Sequence, residues 1–176
     1  SKIVDAARII LMDAPAFMLD GKDYNGLNTS WAESNGAYVG TIHLPSDMIR
    51  LLNVKASDWN RSAEIITEED DAYKVQCSRF GVRGNPERPV AALIHRSGER
   101  LLELFTSKSN TATVSLTYVG MPSISEGNIE FPETLKDSII YMAGYLTCVS
   151  LGDTDTASGF LGVARKLAHI VEPTTS

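Results

Sequence analysis

The run from Ser138 to Leu151 carries no charged side chain, and it limits what the chain can fold into more than any other stretch. Pro132 and Glu133 stand before it and Gly152 follows it. Proline just inside a helix start, an acid in the first turn and glycine past the end frame one helix. A bilayer needs roughly 20 apolar residues, so this helix is too short to span one. A helix apolar on every side has to be covered on every side, which makes it a core or an interface helix. After Gly152, Asp153-Thr154-Asp155 supplies N-cap candidates. Ala157, Phe160, Leu161, Ala164, Leu167 and Ala168 then recur at helical spacing, with Arg165 and Lys166 near the end. The spacing predicts a second, amphipathic helix folded back on the first, with Ile139, Ile140, Leu146 and Val149 packed on Phe160, Leu161, Ala164 and Leu167.

Composition bounds the rest. With 176 residues, 43% hydrophobic and 22% charged, the sequence suits one globular domain over 1–176. A net charge of −6 argues against a protein that grips nucleic acid with its whole surface, and leaves room only for a local basic patch. The N-terminal apolar run Ile9-Ile10-Leu11-Met12 is short and bracketed by Asp5, Arg8 and Asp13, so neither a signal peptide nor a membrane span is expected. Cys77 and Cys148 fall on a predicted strand and in the apolar helix, where thiols behave as small buried hydrophobes.

Ile3, Ala6, Ala7, Ile10 and Leu11 give a short amphipathic helix that ends before Pro15. Residues 20–36 are mostly Gly, Asn, Asp, Ser and Thr around Tyr24, Leu27 and Trp31, and read as a long loop whose order has to come from packing against a neighbour. Period two then takes over: 38–44, 48–54, 64–67, 73–79, 90–95, 101–105 and 114–119 read as strands. Ser97-Gly98 reads as a tight hairpin. The expected fold is α+β: N- and C-terminal helices packed together, covering 1–36 and 131–171, with an inserted antiparallel sheet or small sandwich over 37–120.

The usual marks of chemistry are missing. His43, His95 and His169 lie on two strands and a helix end, and no His or Cys pair has metal-ligand spacing. The sequence has no G-x-S-x-G elbow, phosphate loop or G-x-G-x-x-G turn. Asp153 to Gly159 glances at a calcium loop, but its glycine is one position late and Ala164 holds the place of the closing glutamate, so capping explains those aspartates better. Cys77 with His43 or His95 is the best catalytic pair available, and only residue type supports it. No catalytic residue, metal or cofactor is expected.

The stretch Ser78 to Pro89 sets Arg79, Arg83 and Arg88 among Gly and Pro, with Phe80 and Val82 between them. Such a composition is favoured at protein interfaces. The same residues also suit a phosphate contact or a long hairpin connection. Glu68 and Glu69, in the acidic run Glu68 to Asp71, are the carboxylates an adjacent copy would offer those arginines, although such runs are usually solvated turns.

The passage Gly36 to Val54, running on to Asp58-Trp59-Asn60-Arg61 and including Leu44-Pro45-Ser46-Asp47, resembles the β-block opening of phage head-to-tail connector proteins of the tail tubular protein A type. Phe131-Pro132-Glu133 through Leu167 is similar to their closing helix pair, and Tyr73 to Phe105 resembles the neck or ring proteins of crAss-like Bacteroides phages. The resemblance implies a virion structural protein without an active site, made in the host cytoplasm. It would form a homo-oligomeric, twelve-fold ring beneath the portal protein and beside other neck and tail proteins, with DNA passing through unbound and no membrane involved. A non-catalytic binding module for a peptide or small molecule is the alternative reading.

Overall fold

The computed structural model describes residues 1–25, 28–78, 80–122, 124–125, 128–129 and 131–171. The fold is α+β, and the chain divides into two compact units. Residues 1–21 and 119–176 make a helical unit from the two ends of the sequence, and 22–118 make a β unit inserted between them.

In the helical unit, α1 (Lys2–Asp13), α3 (Lys136–Leu151) and α4 (Thr154–Leu167) pack together, with α3 against both of the others. Helix α1 turns Ala6, Ala7, Ile10 and Leu11 inward, at the expected three-and-four spacing. Helix α3 buries Ser138, Ile139 and Met142, and α4 buries Ala157 and Ala164. Ser138 is a polar residue in this seam because its hydroxyl donates to the carbonyl of Ala164 at 2.7 Å. The turn between α3 and α4 is as short as its residues suggest. Gly152 takes φ +79, its N–H reaches Val149 O, and Asp153 N–H reaches Cys148 O, closing α3 with a glycine cap. Asp153 then caps α4 by accepting from Thr156 N–H at 3.1 Å, and bonding from the Thr156 side chain, then its N–H, holds its carboxyl below the usual range. A short hairpin, β9 (Ile124–Ser125) with β10 (Asn128–Ile129), completes the unit.

Cover on every side of α3 is not what the single chain provides. With α1 and α4 packed on it, Ile140, Tyr141, Val149 and Leu151 stay exposed. Of the predicted hairpin contacts, Ile139 and Ala164 are buried, while Ile140, Val149 and Leu167 face outward.

The β unit is a sandwich. A three-stranded sheet has the order β1 (Lys22–Asn25), β8 (Val114–Gly120), β4 (Met48–Ala56). A five-stranded sheet has the order β2 (Ser30–Ser34), β3 (Ala37–His43), β7 (Glu99–Ser107), β6 (Val90–Arg96), β5 (Glu64–Thr67). Between them lies one core built from alternate positions of both sheets, including Ile42, Leu51, Val54, Leu102, Leu104, Val114 and Leu116. The outer face of the five-stranded sheet carries a smaller cluster, Ile66, Ala92, Ile94 and Phe105.

Three sequence expectations give way here. The stretch 20–36 is not a long loop: β1 pairs with β8, and β2 pairs with β3 through an Asn35-Gly36 turn with φ +55 and +77. That left-handed pair is the geometry of a two-residue hairpin, the same device that joins β6 to β7 at Ser97-Gly98. Trp31 fixes this edge by lying over Gly40, where a Cβ would come within 2.7 Å of the indole. The β unit therefore begins at Lys22 and not at 37. Next, the insertion is not purely antiparallel, because β5 runs parallel to β6 with Glu64 beside Val90 and Ile66 beside Ala92. Parallel neighbours need a crossover and not a hairpin, and residues 68–89 supply it.

Within that crossover, 73–79 is not a strand. Residues Asp71–Cys77 form helix α2, which turns Tyr73 and Gln76 toward the protein. Tyr73, Val75 and Cys77 alternate like a strand, but Asp71 places an acid in the first turn of a helix, and that outweighs the alternation.

Candidate functional site

The connection after α2 is fastened down at Gly84. Its N–H donates to the buried Oε1 of Gln76 at 2.7 Å, and its carbonyl accepts from Thr106 Oγ1 at 2.8 Å. A Cβ there would meet Phe105 O at 2.5 Å and Val90 N at 2.9 Å, so the approach of this loop to β6 and β7 requires glycine. Beyond Gly84 the chain makes a tight turn, with Asn85 and Arg88 bonded main chain to main chain and Asn85 Oδ1 accepting from Glu87 and Arg88 N–H at 3.0 Å. Pro86 O accepts from Asn60 N–H and Pro89 O from Glu64 N–H, each at 2.9 Å. This stretch is a braced crossover, not a hairpin connection.

That bracing gathers Arg61, Arg83 and Arg88 around one open cleft, whose other walls are Glu64, Gln76, Val82, Gly84, Asn85 and Val90. Arg83 is half-buried; it donates to Ser34 Oγ, and its Nε is buried with no acceptor. Arg88 and Arg61 are exposed. Among the described residues none of the three forms an ion pair. Val82 lines the cleft, and Phe80 precedes it by two residues; 84% and 93% of their surfaces are in solvent.

Of the five expected interface residues, Arg79 lies outside the described residues. Arg83 and Arg88 come together in the cleft, and Arg83 has its own chain's Ser34 as a partner. Glu68 is engaged internally: its Oε1 accepts from His95 N–H at 3.2 Å and sits 3.9 Å from His95 Nδ1. Asp70 accepts from Thr67 N–H at 2.7 Å, and Asp71 pairs with Lys74. Glu69 is exposed and makes no such contact among the described residues. Sequence reasoning missed Arg61 and Gln76. Gln76 was hidden by the strand-like alternation, and Arg61 lies far along the chain from the arginines that it joins.

A second polar group lies on the outer face of the five-stranded sheet. Tyr73 Oη donates to Glu103 Oε2 at 2.8 Å, and Arg96 reaches both Tyr73 Oη at 3.4 Å and Glu103 at 3.9 Å. Burial, then the bond to Glu103, pushes the Tyr73 phenol well above its ordinary 10.0. A phenol held protonated in this way is a brace between α2 and β7, not a base or a nucleophile.

The remaining candidates do not assemble. His43 faces Glu99 at 3.2 Å and His95 faces Glu68, so neither meets Cys77. Cys77 is exposed and Cys148 half-exposed, which corrects the expectation of two buried thiols: α2 turns its last residue outward, and Cys148 lies on a side of α3 that is only partly covered. Among the described residues no group of three His, Cys, Asp or Glu could hold a metal, and no helix is long and apolar enough to cross a membrane. No protein family and no curated protein matches the sequence.

Proposed function

We propose that this chain is a self-assembling structural subunit of the phage head-to-tail connector type, a ring protein of the virion neck with no catalytic role. The observation that carries the reading is the uncovered face of α3 and α4. Ile140, Tyr141, Val149, Leu151, Val163 and Leu167 are exposed on two neighbouring helices, with Leu151 at 79%. Single exposed apolar side chains are normal on a surface, but six on two packed helices, four of them in the charge-free stretch 138–151, support a contact with another protein. A second copy of the chain, related by a rotation that closes a ring, is the occupant the reading names. An acidic channel of like-charged copies would let DNA slide without gripping it, in keeping with the net charge of −6.

The test is mass photometry or sedimentation velocity on the purified chain and on a Val149→Glu, Leu151→Glu variant. A discrete closed oligomer for the parent, and a monomer of unchanged helix content for the variant, are expected. A monomeric parent at all accessible concentrations would end the ring reading.

A further inference from the structure

We infer that the arginine cleft of the β unit is a binding site for a carboxylate of an acidic, partly apolar peptide segment from another polypeptide. The inference does not rest on the ring reading, because the cleft is complete within one chain.

Three observations carry it. On a protein with 22 acidic and 16 basic side chains, Arg61, Arg83 and Arg88 converge on one cleft and none has a carboxylate partner among the described residues. Guanidinium groups left together repel one another, and they repel less once an anion sits between them. Arg83 also carries a buried Nε without an acceptor, although its own guanidinium already donates to Ser34. Buried donors are nearly always satisfied, so the Arg83 guanidinium has a bond left unmade within its own chain. Finally, the wall is held still: Gly84 is bonded at both its N–H and its carbonyl, and the Asn85 to Arg88 turn is closed by four hydrogen bonds. A rigid site loses less on binding than a loop that must first be ordered.

The surroundings select the source of the oxyanion. Glu64 lines the same cleft, and one carboxylate facing the ligand disfavours a multiply charged phosphate chain more than a single side-chain carboxylate. The net charge of −6 works in the same direction against nucleic acid. Val82, on the cleft wall and 84% exposed, offers apolar surface beside the arginines. That pairing suits a peptide whose acid is flanked by an aliphatic residue, and has nothing to offer a bare phosphate.

Isothermal titration calorimetry of the full chain at low salt decides it, with the acetylated and amidated peptide Leu-Glu-Glu-Leu as probe. Saturable binding that weakens with added salt is expected. The matched peptide Leu-Gln-Gln-Leu should give no heat, and Arg61→Gln and Arg88→Gln should each weaken binding roughly tenfold or more, because a charge-assisted fork is lost. Both residues are exposed, so circular dichroism of the two variants should match the parent; Arg88→Lys, which keeps charge and loses the fork, is the second variant should Arg88→Gln fail to fold. Equal binding of the neutral peptide, unchanged affinity in both arginine variants, displacement by a short oligothymidylate, or no heat at any peptide concentration would each overturn the assignment.

Discussion

Trp59 donates its indole N–H to the main-chain oxygen of Thr106 at 2.9 Å, inside the core of the β unit. Trp59 follows β4 of the three-stranded sheet and Thr106 belongs to β7 of the five-stranded one, so the bond ties the two layers where their side chains already interlock. Replacing Trp59 with Phe keeps most of the apolar surface and strands the Thr106 carbonyl. A buried acceptor left unmade costs about 1–3 kcal/mol, and a midpoint shift of that size in urea unfolding is expected.

The helical unit separates a buried contact from an exposed one on the same helix. Ile139 has no exposed surface and Val149 is half-exposed. Ile139→Ala should cost about 2–5 kcal/mol as a core truncation. Val149→Ala should cost well under that in the monomer. Thermal unfolding of the two variants side by side checks the order.

Tyr73 gives the β unit a pH signature. Its folded value lies above the unfolded 10.0 because burial and the Glu103 carboxylate both oppose the phenolate. A raised folded value means that the contribution is whole below pH 10 and is lost as pH climbs from there through the folded value. Tyr73→Phe should remove about 1 kcal/mol at neutral pH and flatten the alkaline fall in stability, as read by denaturant melts across the alkaline range.

Thiol chemistry distinguishes the two cysteines. Cys77 is exposed at the end of α2, whereas Cys148 is half-covered in α3. Under native conditions a neutral maleimide should label Cys77 first, with Cys148 following more slowly. Mass spectrometry of the labelled peptides gives the order.

Much of this architecture was written in local signals. Gly152 and Asp153 announced the turn between α3 and α4, and Ser97-Gly98 the β6–β7 hairpin, because positive φ and capping are demands that few residues meet. Asn35-Gly36 carried the same hairpin signal and was lost in a polar stretch whose strands are mostly exposed and so show no apolar alternation. The α2 segment resembles a strand in sequence because seven residues hold too few turns for period 3.6 to outweigh an accidental period of two. The arginine cleft was half legible. Arg83 and Arg88 stand in one loop, but Arg61 joins them through the Asn60 to Pro86 and Glu64 to Pro89 hydrogen bonds, tertiary facts with no trace in sequence.

Two glycines should respond to the same substitution with opposite signs. At Gly84 an added methyl group would press on the main chain of Phe105 and Val90, atoms fixed in the β6–β7 ladder that have no rotamer to escape into. The loop has to lift, which also stretches its bonds to Gln76 and Thr106. Overpacking of this kind costs about 1–3 kcal/mol, and the lost hydrogen bonds add to it. Gly162, in α4, has nothing within 4 Å of its would-be Cβ and an ordinary helical backbone. Alanine there should raise stability by up to about 1 kcal/mol through helix propensity. Chemical denaturation of Gly84→Ala and Gly162→Ala measures both. A Gly84→Ala protein as stable as the parent would mean that the crossover does not lie against β6 and β7, and the arginine cleft built on it would go as well.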